Sequence, residues 1–219
     1  MNRQKLIIFD WDGTLADSTA AIATNMQQAF RDCRLQAPAA DDIRHLIGRS
    51  LHQVIHELAP RLSDRQQAEL TRAYQIRAHR PDQTAALFPE VLPCLNELQK
   101  QGYWMAVATG KSRKGLNLAI RETGTAAFWL ETRCADESAA KPAPDMVWEI
   151  CDRLGISISD TVIVGDTTYD LDMASNARAA SIGVLTGAHK RELLSSRPHV
   201  AILNNLSELP DILTSRFAA

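Results

Sequence analysis

The spacing of apolar positions changes along this chain, and the changes divide it. Leu6 to Phe9 is an unbroken apolar run that stops at Asp10. So short a run, closed by a turn signal, reads as a strand buried in a parallel sheet. From residue 16 to about residue 82 the spacing is helical and strand signals are absent. Ser18 is placed to cap a helix carrying Ile22, Met26, Phe30 and Cys33, which Pro38 breaks. Asp41 and Asp42 precede Ile43, Leu46 and Ile47, with Gly48 to end a short helix. Ser50 can cap a third, whose Leu51, Val54, Ile55 and Leu58 share a face before Pro60. Ser63 with Gln66 matches a capping box, and Leu70, Ala73, Tyr74 and Arg77 carry a fourth helix toward Arg80 and Pro81. Residues 16–82 therefore read as a separate helical module.

From Leu87 onward strands and helices alternate. Pro89 suits the first turn of a helix with Leu92, Leu95 and Leu98, ended by Gly102. Tyr103 to Ala108 is strand-like and stops at Thr109 and Gly110; Ser112 can cap a helix running to Gly124. Phe128 to Cys134 is a more polar strand candidate. Pro142 to Leu154 is helical and ends at Gly155. Thr161 to Val164 is a strand ending in Gly165 and Asp166, followed by a helix through Met173 and Ala177. Ser181 to Leu185 and Val200 to Leu203 are two further strands. Such alternation predicts an α/β fold, a parallel sheet covered by helices on both faces.

Composition adds limits. The 219 residues suffice for one large domain or two small ones, and 45% hydrophobic with 23% charged content is ordinary for a globular protein. A formal charge of −2 gives no reason to expect nucleic acid or an anionic membrane as partner. No apolar run approaches the roughly 18 residues of a membrane span, and the start of the chain lacks a signal-peptide core. Cys33, Cys94, Cys134 and Cys151 are scattered without a Cys-x-x-Cys pair, as in reduced thiols of a cytoplasmic protein.

The chemistry lies where the predicted strands end, which is where open α/β sheets bind ligands. Asp10 and Asp12 flank one residue, so in an extended segment both side chains leave on one face. Thr109 and Gly110 follow the second strand, and Asp166 a later one. Asp170 stands four positions beyond Asp166, and Lys141 lies in Lys-Pro-Ala-Pro-Asp before a helix. Several carboxylates at one sheet edge call for a hard cation, and oxygen ligands suit Mg²⁺. A lysine, a hydroxyl and free backbone N–H groups beside them make a pocket for a phosphate oxyanion.

In this order, Asp10-Trp11-Asp12-Gly13-Thr14, Thr109, Lys141 and Gly165-Asp166-Thr167-Thr168-Tyr169-Asp170 resemble the motifs of the haloacid dehalogenase-like phosphohydrolases. The helical insertion after the first motif resembles the cap of the phosphoglycolate phosphatase-like branch. The resemblance implies a Rossmann-like core over residues 1–15 and 83–219 and a small four-helix cap over 16–82. It implies a phosphatase that uses Mg²⁺ and an aspartyl-phosphate intermediate on a small phosphorylated metabolite, phosphoglycolate and sugar phosphates being candidates. Asp10 would be the nucleophile, and Asp12 would protonate the leaving alcohol and then activate water. Thr109, the Gly110 N–H and Lys141 would hold phosphoryl oxygens. Asp10, the Asp12 carbonyl and Asp166 would bind the metal, with Asp170 a partner of the metal or of Lys141. Arg49, at an interhelical turn of the cap, is a candidate substrate contact. The family's usual range is monomer or homodimer.

Three departures stand out. Gly110 replaces a common Asn, Arg178 stands where Ala-Gly usually ends a helix and is expected to shift the local backbone, and Trp11 is bulkier than the usual Phe or Leu. A phosphomutase of the same superfamily is the near alternative, although Gly13-Thr14 replaces its usual Gly-Val. A non-catalytic phosphoacceptor or binding protein is the alternative from another class. The Thr109–Ser112 stretch resembles a P-loop tail, but Met105 occupies the required glycine position. His52 and His56 share a helix face without further ligands in sequence.

Overall fold

A computed structural model describes residues 4–80 and 85–217. The expected boundary at residues 82 and 83, and Pro81, lie outside the described residues. The chain runs β1 (Leu6–Phe9), α1 (Thr19–Asp32), α2 (Ala40–His45), α3 (Leu51–Leu58), α4 (Asp64–Ala78), α5 (Val91–Lys100) and β2 (Trp104–Thr109). There follow α6 (Arg113–Thr123), β3 (Glu131–Cys134), α7 (Asp145–Leu154), β4 (Thr161–Gly165) and α8 (Thr168–Ala177). The chain continues through β5 (Ala180–Val184), α9 (Arg191–Ser195), β6 (Ala201–Leu203) and α10 (Leu209–Phe217).

The six strands form one parallel sheet in the order β3-β2-β1-β4-β5-β6. β1 lies inside it and is buried on both faces, which is why its sequence is apolar at every position rather than alternating. Ile7 and Phe9 join the cluster on one face with Val91, Leu95 and Leu116. Leu6 and Ile8 join the other with Met146, Ile150 and Met173. Each of these four side chains is fully buried, contributing roughly 1.5–3 kcal/mol. Register then sets the site. Phe9 pairs with Val107 on one side and Val164 on the other. Asp10, Thr109 and Asp166 therefore emerge within one or two residues of a common line at the carboxyl edge.

Helices α1 to α4 bury a separate apolar cluster, with Met26, Phe30, Ile43, Ile55 and Leu70 at its centre. Capping follows the sequence: Gln66 Oε1 accepts from the Ser63 N–H at 3.0 Å, and Ser50 Oγ accepts from the Gln53 N–H at 3.3 Å. Among the described residues, no helix is long and apolar enough to cross a membrane.

Some local expectations are corrected. α1 ends at Asp32, well before Pro38, because Arg34 turns left-handed (φ 58°) and Leu35 N–H reaches the Phe30 carbonyl at 2.8 Å. α5 begins at Val91, after Pro89, and Pro93 occupies its first turn. Its buried face is Val91, Cys94, Leu95 and Leu98, while Leu92 is 42% exposed. Counting i, i+3, i+4 and i+7 from Val91 gives that face; the leucine spacing alone does not. Arg178 does not displace the turn after α8. It adopts the left-handed conformation itself (φ 62°), and Ala179 N–H closes on the Ala174 carbonyl at 2.9 Å.

Candidate active site

β1 stops at Phe9, so strand alternation does not reach Asp12, and the two carboxylates of the first motif take different partners. Lys141, with no exposed surface, lies 2.7 Å from Asp10 Oδ1 and donates to Asp170 Oδ1 at 2.6 Å. Asp12 Oδ1 instead accepts from Ser18 Oγ at 2.7 Å and pairs with Lys111 Nζ at 2.8 Å. Ser18 therefore serves Asp12, and its side chain does not cap α1.

Asp166 follows β4 and is clamped through both oxygens. Oδ1 accepts from Thr14 Oγ1 at 2.8 Å, and Oδ2 from the Ala188 N–H at 2.7 Å. Gly13 turns left-handed (φ 81°) directly against this carboxylate, where a β-carbon would collide with it. Asp170, at the third position of α8, has both oxygens engaged as well. Oδ1 takes Lys141, and Oδ2 accepts from the Thr167 N–H at 3.0 Å and Thr167 Oγ1 at 2.7 Å. Asp170 is thus a partner of Lys141.

Asp10, Asp166 and Asp170 offer oxygens within 4.8 Å of one another, with one lysine among them. Burial pushes Asp10 up to about 7, Lys141 opposing the rise and Asp170 adding to it. Burial, then the Asp10 and Asp170 charges, likewise hold Asp166 well above the usual carboxylate range. Burial works against the Lys141 charge, but Asp10 and Asp170 outweigh it and raise its pKa. The cluster is short of positive charge. Both Asp10 oxygens are buried; Oδ1 meets Lys141 Nζ at 2.7 Å, and Oδ2 has no partner. An unpartnered carboxylate oxygen close to Asp166 fits a hard divalent cation.

Thr109 is buried at the end of β2, its Oγ1 accepting from the Lys111 N–H at 3.2 Å. Gly110 comes next and lies against the turn between α2 and α3: a β-carbon there would stand 2.5 Å from the Arg49 carbonyl oxygen and 2.8 Å from that of Gly48. Arg49 pairs with Glu57, and its guanidinium lies 5.5 Å over the Tyr169 ring. It lines a cavity of about 390 Å³ that also takes in Asp10, Asp12, Thr109, Gly110 and Lys111.

Several residues here carried no expectation. Lys111 reached attention only as a P-loop tail, yet it pairs with Asp12. Thr14 lies inside the first motif and fixes Asp166. His189 is buried after β5; its Nδ1 accepts from the Thr168 N–H at 3.0 Å, and its Nε2 donates to the His45 carbonyl at 3.1 Å. Burial keeps its pKa low, matching this neutral tautomer. Tyr169 Oη donates to the same carbonyl at 3.2 Å, so the end of α2 is held by two core side chains. No sequence signal marks His189, because its partners are backbone groups distant in the chain. His52 and His56 stack with ring centroids 6.5 Å apart, and among the described residues they belong to no cluster of three metal-binding side chains.

The profile of the haloacid dehalogenase-like hydrolases matches residues 7–184, spanning every strand but β6. A Dickeya dadantii (strain 3937) protein named Probable phosphatase IndB is 34% identical over 209 residues, covering 93% of this chain and 91% of its own length. A phosphoglycolate phosphatase of Vibrio parahaemolyticus is 29% identical over 219 residues, covering 95% of this chain and 96% of its own. The crystal structure of a hydrolase from Pseudomonas syringae shares the fold, with a TM-score of 0.88 at 21% identity, covering 97% of this chain and 99% of that one. The chain is an enzyme of the haloacid dehalogenase-like hydrolase family.

Proposed function

We propose that this enzyme is a Mg²⁺-dependent phosphatase that transfers the phosphoryl group of a small monoester first to Asp10 and then to water. The observation that carries the reading is Asp10 itself: buried, held by Lys141 through Oδ1, with Oδ2 free of any hydrogen-bond donor. A nucleophile needs such a free lone pair at the sheet edge.

Asp10 attacks phosphorus in line and the bond to the leaving oxygen breaks. Asp12 gives that oxygen a proton, and afterwards takes one from the water that releases phosphate. Ser18 and Lys111 fix its carboxylate for both steps. Thr109, the Gly110 N–H and Lys141 hold the phosphoryl oxygens, and Asp170 orients Lys141 from behind. Asp10, the Asp12 carbonyl and Asp166 would hold Mg²⁺, which when bound neutralises charge on the transferring group. Residues 16–82 act as a cap that keeps bulk water from the reacting atoms. Named relatives include a phosphoglycolate phosphatase, which supports a phosphorylated metabolite as substrate.

The test is hydrolysis of p-nitrophenyl phosphate with and without Mg²⁺, beside an Asp10→Asn variant. Turnover that needs the metal and disappears in the variant is expected. Turnover that survives Asp10→Asn contradicts the assignment.

A further inference from the structure

Resting on the phosphatase reading, we infer that the substrate's organic part is an uncharged alcohol of about ring size, with an apolar face and no second anionic group. The cavity over Asp10 and Asp12 encloses about 390 Å³, in the range of pockets that surround a whole small molecule. A two-carbon leaving group would leave most of its walls untouched. Ile22 and Met26 of α1, Val54 of α3 and Leu118 of α6 supply apolar wall.

The polar side chains between them are neutral. Asn25 and Gln75 carry amides, Ser50, Thr71 and Ser112 hydroxyls, and Tyr74 and His79 lie among them. Burial and then the Asp12 charge keep the Tyr74 hydroxyl protonated, hence a donor. Burial, then Lys114 and Lys111, hold His79 toward its neutral form.

The lysine and the arginine of the described lining each already hold a carboxylate. Lys111 pairs with Asp12, and Arg49 with Glu57. Arg49 Nε is left buried without an acceptor, which suits a hydroxyl or carbonyl oxygen. His52 is exposed against His56, and Asp136 adds negative charge to the lining. A second carboxylate or phosphate buried here would have to break an existing pair, a cost that a neutral alcohol avoids. Burial against Ile22, Met26, Val54 and Leu118 favours the apolar face directly.

The experiment compares kcat/KM of the full chain with Mg²⁺ for 2-phosphoglycolate against benzyl phosphate, ribose 5-phosphate and uridine 5′-monophosphate. At least one neutral-alcohol ester is expected to exceed phosphoglycolate by about tenfold or more. Leu118→Trp, which fills the wall, is expected to shift that ratio toward phosphoglycolate. Preference for phosphoglycolate, with hydrolysis lost in Asp10→Asn, overturns this inference and leaves the phosphatase reading standing. No Asp10-dependent hydrolysis of any of these esters or of p-nitrophenyl phosphate overturns both.

Discussion

Gly110 faces the main-chain carbonyl of Arg49 so closely that a β-carbon would stand 2.5 Å from its oxygen. The loop after β2 and the turn between α2 and α3 thus meet backbone to backbone. Gly110→Asn is therefore expected to lower kcat/KM by roughly ten- to a hundredfold, because overpacking costs about 1–3 kcal/mol and displaces the turn between α2 and α3. Steady-state kinetics check this; a gain in kcat/KM would contradict the contact.

Lys141 is the only cation touching the Asp10 and Asp170 carboxylates among the described residues, and it is fully buried. Lys141→Met is expected to cost on the order of 3–5 kcal/mol, since removing one partner leaves buried charge uncompensated. Adding Asp170→Asn to that variant should recover part of the loss, because the two residues interact directly. Urea unfolding of the single and double variants measures the coupling. Additive losses would show the pair to be independent.

As a proposed Mg²⁺ ligand, Asp10 would link metal affinity to pH. Burial lifts its pKa from 3.8 to about 7 in the metal-free protein. The folded state then holds a proton that the unfolded chain releases. This contribution to stability is fully present below about 3.8 and is lost as pH rises through about 7. Mg²⁺ competes with the same proton, so its binding tightens over that upper range. The rise in Tm on adding Mg²⁺ should be larger at pH 8 than at pH 5.5, and Asp10→Asn should flatten the difference. Equal rises at both pH values in the wild type would contradict a titrating Asp10 ligand.

Arg178 holds a left-handed conformation (φ 62°) at the end of α8, a position that glycine adopts without strain. Arg178→Gly is expected to stabilise the protein by about 1 kcal/mol, seen as a higher urea midpoint with an unchanged slope. A lower midpoint would mean that the arginine side chain makes a compensating contact.

The sheet and the residues gathered at its carboxyl edge could be read from the chain because both are written locally. An apolar run ending in Asp10, Thr109 closing a strand and Gly165-Asp166 closing another mark strand ends without any knowledge of their neighbours. The partners were not legible. Lys111 meets Asp12 because the loop after β2 folds toward the loop after β1, and His189 meets His45 across 144 positions of sequence. Such pairings depend on how loops close over the sheet, which periodicity does not encode. The buried face of α5 was misplaced for a related reason: Leu92 is apolar, but only packing against the sheet decides which leucines face it.

The identity of the nucleophile is open to direct measurement. Wild-type enzyme and an Asp12→Ala variant, which lacks the group that activates water, are mixed with p-nitrophenyl phosphate and Mg²⁺, quenched in acid and mapped by peptide mass spectrometry. One phosphoryl group is expected on the peptide carrying Asp10, accumulating more in Asp12→Ala than in the wild type. Turnover with no phosphopeptide in either protein, or with phosphate on another residue, would contradict Asp10 as the nucleophile.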